Sequence, residues 1–139
     1  MVVITKKIAL RTRREGEIID ITPEIEGAVR STGLSNGIVT VFIQGSTGAV
    51  TTMEFEQGLL QDLPEALERI APQDAPYQHE ERWHDGNGRS HVRASLLGPD
   101  ITIPFVEGKL TLGTWQQVVF VELDVRSRSR ELIVQVVGE

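Results

Sequence analysis

All three histidines of the chain fall in one stretch, His79-Glu80-Glu81-Arg82-Trp83-His84-Asp85-Gly86-Asn87-Gly88-Arg89-Ser90-His91. Neutral imidazole is a good ligand for borderline metals, and it titrates near neutral pH. Asp85 adds a carboxylate that either ligates or orients a ring from outside the ligand set. A metal site needs several deprotonated donors converging on one point. A long loop folding back on an adjoining strand would bring His79 and His91 to such a point. The spacing matches no tight zinc signature such as His-Glu-x-x-His, so a polar loop with solvated histidines stands as the alternative.

Other residues offer weaker chemistry. Ser46 and Thr47, between Gly45 and Gly48, could cradle an anion with hydroxyls and backbone N–H groups. The loop lacks the Gly-Lys-Ser/Thr ending of a phosphate loop, and most such segments are connections. Glu54 closes the strand that follows and is a candidate general base if its face lines a cavity. Read as a strand, Ser90–Leu97 puts His91, Arg93 and Ser95 on one face, where a cation beside an imidazole would suit phosphate or carboxylate. Gly113-Thr114-Trp115-Gln116-Gln117 places an indole and amides at a strand entrance, although a buried Trp with a satisfied N–H is the commoner outcome. Arg126, Arg128 and Arg130 carry no interleaved aromatics and read as a solvated hairpin tip.

The elements that must hold these groups follow from pattern. Val2–Arg13 alternates and is rich in β-branched residues, and Ile18–Ile21 reads as a short strand. Thr22-Pro23-Glu24 opens a helix, with Thr22 as cap and Pro23 in the first turn, and Gly33 stops it. Ile38–Ile43 and Ala49–Phe55 read as strands. Leu59, Leu60, Leu63, Leu67 and Ile70 recur at helical spacing, with Asp62 expected to cap a fresh turn before Pro64. Gln73–Gly88 reads as one long loop, a length that is often functional. Ser90–Leu97 and Ile101–Val106 flank Gly98-Pro99-Asp100, a hairpin signal, and Trp115–Leu123 and Leu132–Val137 are the last strands. Two helices among about eight strands predict an α+β fold with a mainly antiparallel sheet or sandwich.

Composition narrows the class. The chain has 139 residues, enough for one cored domain spanning 1–139. Its net charge of −6 argues against a nucleic-acid partner. With no cysteine, disulfides, thiolate metal sites and cysteine nucleophiles are excluded. No apolar run has the length to cross a bilayer, and the N-terminus has charges after its apolar residues, the reverse of a secretory signal. The reading is a cytoplasmic protein with no membrane partner.

Three separate strings occur in order: Gly45-Ser46-Thr47-Gly48-Ala49-Val50-Thr51-Thr52-Met53-Glu54, the run from Asp85 through Ser90-His91-Val92-Arg93 to Pro99, and Gly108-Lys109-Leu110-Thr111-Leu112-Gly113-Thr114-Trp115-Gln116, with Gly138-Glu139 at the end. Together they resemble the YjbQ-like family, often labelled secondary thiamine-phosphate synthase, and the resemblance covers essentially the whole chain. It implies a compact α+β domain that assembles as a homotrimer, with a polar cleft near subunit contacts. The positions shared with the family are Glu54, His79, Asp85, Ser90, His91, Arg93, Gly113, Thr114, Trp115 and Gln116. His79 and His91 carry over as metal ligands, whereas His84 is variable in the family. Gly45 and Met53 stand where many members have histidine and asparagine, and Arg89 where a histidine is frequent.

The family label implies displacement of pyrophosphate by a ring nitrogen. That reaction needs charge neutralisation of the leaving group more than a covalent nucleophile. On this reading His79 and His91 hold a divalent metal, with Ser46, Thr47, Ser90, Arg93, Thr114 and Gln116 on the substrate and its phosphates and Glu54, Asp85 and Arg93 in catalytic roles. The histidine bias suits zinc or another transition metal better than magnesium. The expectation is a metal-dependent enzyme on a phosphorylated small molecule. The alternatives are a non-catalytic trimer that binds a small ligand or metal, and a histidine loop that only holds subunits together.

Overall fold

Alternating burial along the first and last strands fixes the architecture. The computed structural model describes residues 1–139, with the elements β1 (Val2–Arg11), β2 (Ile18–Asp20), α1 (Thr22–Thr32), β3 (Gly37–Ile43), β4 (Gly48–Met53), α2 (Gln57–Ile70), α3 (Gln78–Trp83), α4 (Gly88–Leu97), β5 (Asp100–Val106), β6 (Lys109–Leu110), β7 (Gln117–Glu122) and β8 (Ser129–Gly138). β1 and β8 pair antiparallel from Val2 opposite Gly138 to Arg11 opposite Ser129. β8 also pairs with β3, giving a five-stranded sheet ordered β1-β8-β3-β5-β6. A smaller sheet, β2-β7-β4, is antiparallel throughout. The α+β expectation holds, with four helices rather than two.

Three layers result. The inner face of the large sheet supplies Val39, Val41, Ile43, Ile103, Phe105, Leu132, Val134 and Val136 to one core, against Val50, Val118 and Phe120 of the small sheet and Ile25, Ala28 and Val29 of α1. The other face of the small sheet presents Ala49, Val119 and Val121 to a second core with Leu67 of α2 and Ala94 of α4. The small sheet is therefore buried on both faces, which is why β7 reads as a continuous apolar run. The only ionisable residue of β7, Glu122, is fully buried.

Several local expectations fail for definable reasons. Ser90–Leu97 is helix, not strand. Its inward positions Ser90, Arg93, Ala94 and Leu97 have the i, i+3, i+4, i+7 spacing of a helix, but two of the four are polar and hide the period. Gly98-Pro99-Asp100 consequently ends α4 rather than turning a hairpin. Six residues of the supposed long loop form α3, which has no buried residue to announce it. α2 runs unbroken through Pro64. Its cap is Glu56, whose carboxylate accepts the N–H groups of Gly58 and Leu59 at 2.8 and 2.6 Å. The cost of an interior proline, about 3 kcal/mol, is offset by seating Leu60, Leu63 and Leu67 on the small sheet. Thr22 does not cap α1: Asp20 Oδ1 takes its N–H at 2.9 Å, and its hydroxyl accepts from Val118 N. Gly33 stops α1 in the left-handed conformation, as expected.

Candidate metal centre

His79 lies in α3, Asp85 in the reversal after it and His91 in α4. The reversal is tight because His84 and Gly86 both have left-handed backbone, φ 52° and 78°. Two carboxylates hold it from inside. Glu80 accepts the N–H groups of Gly86 and Gly88, each at 2.7 Å. Asp85 Oδ1 accepts the Asn87 N–H at 2.9 Å and lies 3.0 Å from His79 Nε2. The Asn87 N–H, followed by His79, keeps the Asp85 carboxyl below the usual carboxylate range, although partial burial pushes the other way. Asp85 is therefore an anion, ready as a ligand.

His91 is oriented from the far side. Its Nδ1 lies 3.0 Å from the Ser46 carbonyl oxygen, and a carbonyl only accepts, so Nδ1 carries the proton. Nε2 is left with its lone pair, the arrangement in which a backbone carbonyl fixes a metal-binding tautomer. The His79 and His91 rings meet edge to face with centroids 4.5 Å apart at 64°. One ligand atom from each of His79, Asp85 and His91 falls within 4.8 Å of the others. Bonds of about 2.0–2.1 Å around a tetrahedral ion place ligand atoms roughly 3.3 Å apart, so small side-chain rotations close the set. Two imidazoles and a carboxylate are the donors of catalytic rather than structural zinc sites and leave a coordination position open. The donor set fits a transition metal better than magnesium. Beside His91, Gly45, Ser46, Ser95 and Pro99 line a depression of about 240 Å³.

A buried polar seam supports this site. Asn87 Oδ1 accepts from Ser90 Oγ at 2.8 Å and Val125 N at 3.1 Å, and its amide donates to Asp124. Glu122 accepts from Thr12 Oγ1 at 2.7 Å, Arg130 Nε at 2.9 Å and Asp124 N at 3.1 Å, and pairs with Arg130 Nη2. Arg130 also donates to the Thr47 hydroxyl and carbonyl at 2.9 and 3.2 Å. The Ser46 carbonyl that holds His91 thus adjoins a residue clamped by a buried ion pair. Sequence reasoning missed Glu122, Asp124 and Arg130 as partners. A lone glutamate inside the apolar run Val118–Leu123 was the available signal.

The remaining sequence candidates are dispersed. Thr47 and Ser90 are buried, their hydroxyls engaged as above. Ser46 offers the site its carbonyl. Arg93 does not share a face with His91, because residues two apart on a helix point in different directions. Its guanidinium is buried, donating to the Ala71 carbonyl at 3.0 and 2.8 Å and to Glu68 at 2.7 Å, with Glu15 at 3.6 Å. Glu54, Thr114 and Trp115 line a different depression, with Gln116 alongside, bonded to Thr52. That depression lies at the opposite end of β4 from Ser46, about 20 Å away at 3.3 Å per residue. Trp115 is exposed rather than buried. Arg130 is a core residue, not part of a hairpin tip. His84 is exposed outside the cluster. Gly45, with φ 121°, adopts backbone suited to glycine, so a histidine here would require a differently shaped loop.

Fold and site together define a class: a small three-layer α+β domain with a two-histidine, one-carboxylate cluster between two short helices. The sequence profile of the UPF0047 protein YjbQ-like family matches residues 6–139, and the chain belongs to that family. It is 44% identical over 139 residues to a UPF0047 protein of Methanothermobacter thermautotrophicus, covering 100% of this chain and 95% of that one. It is 29% identical over 134 residues to the UPF0047 protein YugU of Bacillus subtilis, covering 96% and 98%. Among solved structures, a YbjQ-like protein of unknown function from Sulfolobus solfataricus superposes with TM-score 0.94 at 34% identity, covering 99% of each chain. A hypothetical protein from Aeropyrum pernix superposes with TM-score 0.90 at 31% identity, covering 98% and 99%.

Proposed function

We propose that the protein is a metal-dependent enzyme acting on a phosphorylated small molecule, with His79, Asp85 and His91 holding a divalent transition metal, zinc by preference. The observation that carries this reading is the approach of three ligand atoms to within 4.8 Å while the Ser46 carbonyl leaves His91 Nε2 free. A bound ion of this kind supplies charge neutralisation to phosphoryl oxygens. The chain's own groups do the rest. Asp85 stays anionic, Ser46 fixes the ring, and the groove beside His91 receives the substrate. Thiamine-phosphate synthase activity of the secondary kind is the named version of this chemistry.

The engaged state of Arg93, Thr47 and Ser90 favours a second reading, a non-catalytic protein that binds a metal or a small ligand at the same place. Either reading is compatible with a homotrimer. A row of side chains across the outer face of the large sheet, Val3, Val137, Ile38 and Pro104, includes exposed Val3 and Ile38 and has the character of a subunit contact. No helix is long and apolar enough to cross a membrane, and a cytoplasmic location with no nucleic-acid partner is part of the proposal.

Metal content of the purified protein tests the centre. About one zinc per chain is expected, with loss in His91→Ala and His79→Ala while circular dichroism stays unchanged. A wild-type protein that takes up no transition metal from a zinc-supplemented buffer refutes it. Turnover of phosphorylated substrates that disappears in His91→Ala separates enzyme from binding protein.

A further inference from the structure

We propose a second site, independent of the metal centre: Arg11 and Arg128, with the hydroxyls of Ser127 and Ser129, bind the phosphoryl group of a small anionic ligand. The chain carries a net charge of −6, yet two of its segments, Arg11-Thr12-Arg13-Arg14 and Arg126-Ser127-Arg128-Ser129-Arg130, are dense in arginine. The fold lays them side by side. Arg11 stands opposite Ser129 in the β1–β8 ladder. Just beyond, Thr12 N donates to the Arg128 carbonyl at 2.9 Å, and Arg128 N donates to Thr12 Oγ1 at 2.8 Å. Between the segments lies a depression of about 160 Å³ lined by Arg11, Thr12, Ser127, Arg128 and Ser129, with no apolar side chain.

What these groups bond to decides their use. Thr12 is committed: its hydroxyl donates to Glu122 and lies 3.1 Å from the Arg128 carbonyl. It makes a fixed floor, anchored to the buried Glu122–Arg130 pair. Of the four donor groups above it, three are free and the fourth is paired only at its edge. Arg11 makes no ion pair or side-chain hydrogen bond, and neither serine hydroxyl has a partner. Arg128 is half-exposed, and its one ion pair is with Asp124, 3.4 Å from one of its guanidinium nitrogens. A pocket floored by rigid backbone and rimmed by two guanidiniums and two hydroxyls matches a phosphoryl dianion, which takes forked N–H donors and O–H donors together. Arg93, the cation that the sequence suggested for phosphate, is consumed inside the fold, and Arg11 and Arg128 supply what it cannot. The pocket is short, and the surrounding molecule is acidic. A long polyanion would feel that whole field, whereas a compact anion is held by contacts that screening leaves intact.

The test uses the full chain, stripped of metal so that the histidine cluster contributes nothing. Pyrophosphate and inorganic phosphate are titrated separately at low ionic strength, followed by calorimetry and by amide shifts. Saturable binding is expected, with the largest shifts at residues 127–129. Arg11→Ala and Arg128→Ala should each weaken it about tenfold, the loss of one charge-assisted contact. Arg30→Ala, an exposed arginine on α1, should leave it unchanged. Arg11 has no partner in the fold, so its variant keeps the wild-type melting curve. Absence of saturable binding, or equal weakening by Arg30→Ala, overturns the proposal. So does tighter binding of an RNA oligonucleotide than of pyrophosphate at the same residues, which would make the surface a polyanion contact.

Discussion

Removing the Arg130 guanidinium should be the most damaging single change that leaves the apolar cores intact. Glu122 is completely buried, and its carboxylate takes donors from Arg130, Thr12 and the Asp124 N–H. In Arg130→Met the side-chain length survives, but the carboxylate keeps only Thr12 and one backbone N–H. Breaking a buried pair from one side costs about 3–5 kcal/mol, because an uncompensated charge stays inside. Against a total stability of about 5–15 kcal/mol, that loss brings the protein near the edge of folding. Replacing both partners, Arg130→Met with Glu122→Leu, should recover stability to within about 1 kcal/mol of wild type, since a matched apolar pair is often neutral. Urea unfolding with linear extrapolation measures these two variants and Glu122→Leu alone, and the double-mutant cycle gives a coupling of at least about 2 kcal/mol. A cost below about 1 kcal/mol for Arg130→Met, the range of a surface pair, would refute the reasoning. So would a double variant no more stable than the single one.

Asp124 links acid stability to the same seam. Burial pushes its carboxyl up, but the Arg126 N–H, the Thr47 hydroxyl, the Arg128 guanidinium and the Asn87 amide outweigh burial and hold it below the ordinary range. A depressed folded value means that the unfolded chain protonates first. The contribution is therefore present above about pH 4 and lost as pH falls through the folded value. Urea midpoints of Asp124→Asn should fall less steeply than wild type below pH 4, and an identical slope would count against this. Gly37→Ala should cost about 3 kcal/mol, at the upper end for overpacking, because the new Cβ would land on the Val137 carbonyl oxygen. A urea midpoint equal to wild type would show that the β3–β8 ladder has slack there.

The sequence made the sheets legible wherever burial alternates or runs continuously, as in β1, β3, β7 and β8. It concealed α4, because helical period is visible only when inward residues are apolar, and Ser90 and Arg93 face inward as polar groups with partners. That error also misplaced Arg93, which a strand would have aligned with His91 and a helix turns away. His79, Asp85 and His91 were legible as a group from residue type and closeness in sequence. Their support was not, because Glu122, Asp124 and Arg130 lie far along the chain and acquire meaning only through pairing. The separation of Glu54 and Thr114 from the histidines was equally hidden. Both adjoin strands of the small sheet, and only its geometry shows that they sit at the end away from Ser46.

The buried Glu122–Arg130 pair also bears on which strand alignment wins. Inward positions of β8 after Arg130 are Leu132, Val134 and Val136, so sliding β8 by two residues would trade one branched aliphatic for another. Hydrophobicity alone discriminates poorly between those alignments. Only the correct one delivers the guanidinium to its carboxylate, and any other strands a charge in the interior. The ion pair thus serves as a key that a single frame fits. The apolar double variant, stable as it should be, would lose that selectivity and show additional amide resonances from slipped forms.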